Sequence, residues 1–237
     1  MIFGKITSQI YVIKASLAYQ KGDTDSTISF LKKAYKTGSA KVSAVTSYGY
    51  MLLKCAKLDE AMKIFEEQLA SPKLSDKDRY DIKSNYALVL WKKGQIDKAI
   101  SLFESIIPQF KTTNIYGSLG YLYNLNNDLE KALVFNLEAY DYNNDNGVIL
   151  DNLGQTYYLL GDFEKANEIF KTLMSKKPDF PEAFYDYALV LEKLGDNEKC
   201  IEMLKNAQLI KISYLSNITS EDIENKLADM EKKQAFS

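Results

Sequence analysis

The 237-residue chain contains no histidine, only two cysteines and only four prolines. The lack of histidine removes the commonest general base, the triads that depend on it and most zinc and iron sites. The sequence also contains neither a phosphate-binding loop nor a dinucleotide-binding glycine pattern. We therefore expect a protein without catalytic activity, cofactor or metal.

The sequence also lacks a large excess of either positive or negative charge, and it lacks long apolar runs. The 30 basic residues are balanced by 32 acidic ones, so no positive excess is available for a nucleic acid backbone. No apolar run approaches the roughly 20 residues of a membrane span, and Lys5 and Lys14 interrupt the N-terminus before it can act as a signal peptide. We expect a cytoplasmic protein in which Cys55 and Cys200 are reduced, structural thiols.

What the sequence does contain is a repeat, which is clearest in residues 147–180. Apolar residues recur there at spacings of three and four, which predicts one face of a helix. Gly161 then ends this first helix, and Asp162 is placed to begin a second one. The apolar residues of the two helices are Leu150, Leu153, Tyr157 and Leu160, then Ala166, Ile169, Phe170 and Leu173. The repeating unit is therefore predicted to be a helical hairpin.

Two series of mostly small residues show that this unit recurs along the chain. In both series the successive members are 34, 38, 33, 34 and 34 residues apart. Small side chains at these positions let the two helices of a hairpin approach closely. The first helices contribute Ala15, Gly49, Ala87, Gly120, Gly154 and Ala188, and the second helices contribute Thr27, Ala61, Ala99, Ala132, Ala166 and Cys200.

The spacing and order of these residues resemble the tetratricopeptide repeat family over residues 8–212. The departures are Asn136 at a normally large apolar position, and Ala56 and Asn127 in place of the turn glycine. The resemblance implies an all-α fold, a right-handed α-solenoid of six hairpins, which we interpret as one domain over residues 1–237. The predicted repeats are 8–41, 42–79 (ending in an extra charged turn, 76–79), 80–112, 113–146, 147–180 and 181–212. Residues 1–7 are a lead-in, and a capping helix is predicted at 219–234.

In the resembled family the first helices line a concave groove, and its positions carry over to a set of aromatic and small polar residues. The aromatic side chains would bury parts of a partner, and the amides would hydrogen-bond the backbone of an extended peptide. The predicted binding residues are Tyr50, Asn85, Trp91, Asn114, Tyr121, Asn152, Tyr158 and Tyr185. The charges differ along the groove, with Lys54 and Lys92 towards one end and Asp151, Glu182, Asp186 and Glu192 in the C-terminal third.

The resemblance thus implies a non-catalytic scaffold that binds a protein segment or an extended peptide. Two alternatives stay open. One is a peptide-sensing regulator that acts through a separate output partner, and the other is a structural subunit that self-associates weakly through the exposed edge of repeat one.

Overall fold

The computed structural model describes residues 2–235, all of whose regular structure is helical. The chain divides after Phe110 into two compact units, each described here by itself. The first unit contains three hairpins. Their helices are α1 Ile2–Gln20 and α2 Thr24–Lys36, α3 Val42–Lys54 and α4 Leu58–Leu69, and α5 Asp76–Lys92 and α6 Ile96–Glu104.

The second unit contains three further hairpins and a final helix. The hairpins are α7 Thr113–Leu125 with α8 Leu129–Tyr142, α9 Gly147–Leu159 with α10 Phe163–Ser175, and α11 Pro181–Lys193 with α12 Asn197–Gln208; the final helix is α13 Ser220–Ala235. The predicted all-α fold of six hairpins and a last helix is confirmed. That the chain forms one domain stays a prediction. None of the helices between residues 2 and 235 has the length and hydropathy needed to span a bilayer.

The predicted phase of the repeat is visible in the packing of each hairpin. The second-helix series is fully buried, from Thr27 to Cys200. The first-helix glycines make room for large side chains, because a Cβ on Gly154 would lie 2.7 Å from the ring of Phe170 and one on Gly49 would lie 2.6 Å from the ring of Phe65. The second and fifth hairpins therefore each pair a missing side chain on the first helix with a phenylalanine ring on the second.

All six hairpin turns contain one residue in the left-handed region, which reverses the chain after the first helix. Four of these residues are glycines with φ between 72° and 81°. The two departures noted in the sequence adopt the same conformation, with φ of 59° at Ala56 and 55° at Asn127. Asparagine tolerates this region better than alanine, so Ala56 holds the least favourable backbone conformation of the six.

We expect Ala56→Gly to raise the free energy of unfolding by roughly 0.5 to 1 kcal/mol. The left-handed conformation costs an alanine about 1 to 2 kcal/mol, and the greater freedom of glycine in the unfolded chain offsets part of that gain. Urea denaturation followed by circular dichroism measures the change. Gly94→Ala, at φ +77° in the next turn, is the matched control and should shift stability in the opposite direction. Two shifts of the same sign would contradict the explanation.

Two helix starts differ from the sequence-based expectation. Helix α1 already begins at Ile2 and includes the predicted lead-in. The extra residues 76–79 form the first turn of α5 and not a separate turn, because the Ser75 side chain accepts from the Asp78 amide and the Arg79 guanidinium donates to the Leu69 carbonyl. Helix α11 begins at Pro181, the first residue of the sixth predicted repeat, where the missing N–H of proline costs nothing.

The final helix α13 packs on the last hairpin. Thr219 and Asp222 form a reciprocal cap, in which each side chain accepts a hydrogen bond from the other residue's amide. The apolar stripe Ile223, Leu227 and Met230 is buried in the same core as Cys200. The predicted capping helix is confirmed, and burial raises the pKa of the Cys200 thiol to about 11.

Candidate functional site

Three tyrosines from the predicted set converge in the second unit. Tyr121, Tyr158 and Tyr185 lie on α7, α9 and α11, the first helices of successive hairpins, and each is half-buried. Burial, and after it the charge of nearby carboxylates that include Asp186, raises the pKa of all three phenols. The first helices thus bring three neutral aromatic rings to the surroundings of one acidic residue.

A cavity of about 170 Å³ opens beside Asp186. Tyr158 and Tyr185 are aromatic walls, and Gln155 donates a 3.3 Å hydrogen bond from Nε2 to Asp186 Oδ2. The lining residues are Gln155, Tyr158, Leu159, Tyr185, Asp186, Leu189, Asn217 and Ile218. The site therefore combines one carboxylate with aromatic and aliphatic surface, which suits a ligand group that is both polar and apolar.

Two further carboxyl groups lie close to Asp186. Asp151 is only 5% exposed, and burial, followed by the charges of Asp186 and Glu182, raises its pKa well above the usual range. Burial, followed by the charge of Glu182, raises the pKa of Asp186 to about 8. The Oδ1 atom of Asp151 is buried and accepts no hydrogen bond from the residues that the structure describes. Burial in this part of the second unit therefore favours the protonated, neutral form of both acids near neutral pH.

Glu192, the fourth acidic residue predicted in the groove, has a different environment. The ammonium groups of Lys226 and Lys233 on α13 both pair with its carboxylate. Although burial opposes them, these two partners lower the pKa of Glu192. Its charge is therefore used to attach α13 to the last hairpin.

The predicted ladder of amides is largely used inside the protein. Asn152 is 1% exposed, and its Nδ2 donates a 2.7 Å hydrogen bond to the Gly117 carbonyl of α7. In the first unit, Asn85 Nδ2 donates to the carbonyl of Asp81 in its own helix at 2.8 Å. Asn114 is exposed on the first turn of α7. Of these three amides, the structure leaves only Asn114 facing solvent.

Asn152 belongs to a buried polar network that the sequence did not indicate. Asn124 Nδ2 donates to the Asn152 carbonyl at 2.9 Å, and Asn136 Nδ2 donates to Thr156 Oγ1 at 2.9 Å. Thr156 Oγ1 in turn lies 2.8 Å from Asn124 Oδ1. The Nδ2 of Asn136, the departure at a large apolar position, therefore has a buried partner in this network, whereas its Oδ1 is buried and accepts no hydrogen bond from the described residues.

The predicted aromatic residues of the first unit lie beneath lysines of their own helices. The Lys54 ammonium is 6.0 Å from the ring centroid of Tyr50. The Lys92 ammonium is 4.5 Å from the ring centroid of Trp91. Both distances are within the range of a cation–π interaction. The first helices of this unit thus present aromatic rings with positive charge, in contrast to the acidic residues of the second unit.

Sequence reasoning missed several lining residues of the cavity. Gln155 occupies the ninth position of its repeat. The resemblance assigns this position to the groove and led to the prediction of Tyr121 in the preceding repeat, so Gln155 could have been predicted in the same way. Asn217 and Ile218 follow the last repeat in the segment before α13, and no repeat pattern covers them. Within residues 2–235, no group of three or more acidic or cysteine side chains is arranged to hold a metal ion.

The family model that matches this chain is described as tetratricopeptide repeat and covers residues 157–211. A TPR repeat-containing protein of Methanocaldococcus jannaschii is 22% identical over 235 residues, which are 94% of this chain and 41% of the relative. The chain therefore spans less than half the length of that relative.

Two solved structures share the fold at low sequence identity. One chain of the APC/C hetero-tetramer Cut9–Hcn1 is 16% identical with a TM-score of 0.74, and the match covers 95% of this chain and 43% of that one. PilW, a widely conserved type IV pilus biogenesis factor, is 16% identical with a TM-score of 0.70, and the match covers 85% of this chain and 92% of PilW. The hairpins and these structural matches show the tetratricopeptide repeat fold, and residues 157–211 match the tetratricopeptide repeat family itself.

Proposed function

We propose that the protein is a non-catalytic, cytoplasmic scaffold that binds an extended segment of a partner protein along the first helices of its hairpins. The observation that supports this most is the convergence of Tyr121, Tyr158 and Tyr185 near an open cavity in the second unit. Tyrosine rings bury apolar surface at a small cost in side-chain entropy and can hydrogen-bond through their hydroxyls. Such rings are typical of the residues that dominate binding energy at protein interfaces.

The amide network changes which residues are proposed to contact the segment. Asn152 is buried and hydrogen-bonded within the unit. The residues proposed to contact the segment in the second unit are therefore the aromatic ones and the exposed Asn114. In the first unit, the residues proposed to contact the segment are Tyr50 and Trp91. Asn85 contributes to binding only if its bond to the Asp81 carbonyl is exchanged for one to the partner.

Site-specific photo-crosslinking in the native cell tests this proposal. A photoreactive phenylalanine replaces Trp91 or Tyr185 on a first helix, so that one aromatic ring replaces another. The matched controls carry the same residue at the exposed Lys98 on α6 or Lys171 on α10, both on second helices. We expect discrete crosslinked proteins, identified by mass spectrometry, at the first-helix positions. Crosslinks of equal yield at the control positions, or only there, would contradict binding along the first helices.

A second candidate function, self-association, is favoured by the exposed side of α1. Phe3, Ile6, Ile10, Ile13 and Leu17 follow alternating spacings of three and four residues and are between 47% and 87% exposed. The opposite side of α1, with Ser8 and Ala15, is buried. A helix that turns its large apolar residues outward at this spacing has the seam of a two-stranded coiled coil. A second copy of α1 offers the same seam.

We expect Ile6→Ser combined with Ile13→Ser to abolish dimerisation. Analytical ultracentrifugation over a range of concentrations should show a monomer–dimer equilibrium for the unaltered chain and a monomer for the variant. Val134→Ser, at an apolar residue that is 71% exposed on α8, is the control and should leave the equilibrium unchanged. A chain that stays monomeric at high concentration would remove this candidate, and binding to lipid vesicles by that monomer would assign the stripe to a membrane surface.

A further inference from the structure

Asp186 is a buried acid with surplus acceptor capacity at the edge of a cavity. It is 8% exposed, and within the described chain its carboxylate accepts one side-chain hydrogen bond, from Gln155. Its neighbour Asp151 is 5% exposed, with an Oδ1 atom that lacks a partner. Buried carboxyl groups normally have hydrogen-bond or ion-pair partners, because removing such a group from water without replacing its partners is unfavourable.

No positive charge of the described residues compensates these acids. None of the ion pairs within residues 2–235 includes Asp151, Glu182 or Asp186. Glu192, one helical turn and a half further along α11, shows the contrast, since two lysines neutralise it. The missing positive charge is therefore specific to the carboxylates at the cavity and is not a general property of this helix.

The walls of the cavity define the shape and chemistry of the missing group. Tyr158 and Tyr185 contribute aromatic rings, the kind of group that can attract a cation, and Leu159, Leu189 and Ile218 contribute aliphatic surface for a methylene chain. The volume of about 170 Å³ admits one side chain and excludes a folded element. A long aliphatic chain that ends in a positive charge fits these three features together.

We propose that this cavity binds one cationic side chain, that of a lysine or an arginine, from the segment that lies along the first helices. Asp186 pairs with the charge, Tyr158 and Tyr185 enclose it, and the leucines contact the methylene groups. This inference rests on the proposed function and assigns the chemistry of the partner at one position. The charge of the ligand also acts on Asp151, whose carboxyl group interacts electrostatically with that of Asp186.

Binding should be linked to the release of protons. Because the pKa of Asp186 is raised in the free protein, a cation that pairs with it must displace a proton at neutral pH. The affinity is therefore expected to rise between pH 6 and pH 8. The titratable side chains that act on Asp186 or on the tyrosines near it are Tyr121 from α7, Asp151 and Tyr158 from α9, Glu182, Tyr185 and Glu192 from α11, and Asp222 from α13, and Glu192 is paired with Lys226 and Lys233 of α13.

Methyl NMR with single amino-acid probes tests the proposal without knowledge of the partner. The δ-methyl signal of Ile218, which lines the cavity, is followed while blocked arginine (N-acetyl-arginine methylamide) or blocked lysine is added to the full chain. Blocked citrulline and blocked norleucine are neutral probes of nearly the same shape. We expect the cationic probes to shift the Ile218 signal in a saturable way and the neutral probes to leave it unchanged at the same concentration.

Asp186→Asn should weaken the binding of the cationic probes at least about tenfold, the loss expected for one charge-assisted hydrogen bond. Asp179→Asn removes the same charge at an exposed site in the same unit and should not change the affinity. Equal shifts with neutral and cationic probes, or equal binding by the two variants, would overturn the inference. These outcomes are separate from those of the crosslinking, because protein crosslinks at Tyr185 without cation selectivity would retain the scaffold and remove only the proposed side-chain specificity.

Discussion

Phe170→Ala is expected to lower the free energy of unfolding of the second unit by about 3 to 5 kcal/mol, the range for truncating a buried phenylalanine. The ring is fully buried, stacks on Tyr187 at a centroid distance of 5.5 Å and occupies the space that Gly154 leaves open. Its removal leaves a cavity between α9 and α10 that the two backbones cannot close without losing other contacts. Urea denaturation followed by circular dichroism measures the loss.

The control for this variant is Leu209→Ala, which truncates an apolar residue that is 85% exposed in the same unit. A change within about 0.5 kcal/mol is expected there. A loss of less than about 1 kcal/mol in Phe170→Ala would mean that the deduced phase of the repeat, with a large residue packed on a glycine, does not describe the hairpin.

The same variant tests the prediction of a single domain. Trp91 is the only tryptophan in the chain and belongs to the first unit, so its fluorescence reports unfolding there. If the chain unfolds as one domain, Phe170→Ala shifts the Trp91 transition to lower urea together with the circular dichroism. A Trp91 transition that stays in place would show that the two units unfold separately, as can happen in repeat proteins.

Asp186→Asn is expected to stabilise the protein by roughly 1 to 3 kcal/mol at pH 8 and to leave its stability nearly unchanged at pH 4. The folded state holds the Asp186 proton up to a pKa of about 8, whereas an exposed aspartate loses it near pH 4. The folded state therefore binds more protons than the unfolded state in this interval, and the stability of the unaltered chain falls as the pH rises. An asparagine does not titrate, and its Oδ1 can still accept from Gln155.

Thermal unfolding of both proteins from pH 4 to pH 8 gives the comparison. The difference in unfolding free energy should grow steadily with pH, and Asp179→Asn should show no such growth. A difference that is constant over the whole range would mean that Asp186 is already ionised in the folded protein near pH 4. If Asp186→Asn stabilises the protein and also weakens the binding of the cationic probes, Asp186 contributes to binding at the expense of folding stability.

The sequence predicted the hairpins and their phase because these depend on short-range patterns. Gly154, Ala166 and Phe170 are close in the chain, and the packing of helix on helix within one hairpin follows from their spacing. The departures were also informative, because Ala56 and Asn127 at the glycine position identified two turns that still adopt the left-handed conformation.

The orientation of individual side chains on the first helices was harder to predict. Asn152 was expected to face a ligand, but it lies between α7 and α9 and bonds the Gly117 carbonyl. Whether a polar residue at this position contacts solvent or the preceding hairpin depends on the partners 28 to 35 positions away, which a single repeat does not contain. The buried positions of Asn124 and Asn136 are explained only by that network.

The cavity was partly predictable for the same reason. Tyr158, Tyr185 and Asp186 lie on repeat positions that the family resemblance assigned to the groove. Asn217 and Ile218 lie beyond the last repeat, in a segment whose path is set by the docking of α13. The absence of a compensating charge was also invisible in the sequence, since Glu192 and Asp186 look alike until the lysines of α13 are located.

Helices α1 and α13 differ in the surface that they expose, and this difference affects how copies of the molecule can associate. Helix α13 buries Ile223, Leu227 and Met230 and turns its charged residues outward, so it offers no apolar surface on which a further copy could stack. Helix α1, in contrast, exposes its large apolar side chains. An assembly that grows through the α1 stripe of two copies joins like to like, which satisfies both seams at once and ends at two copies.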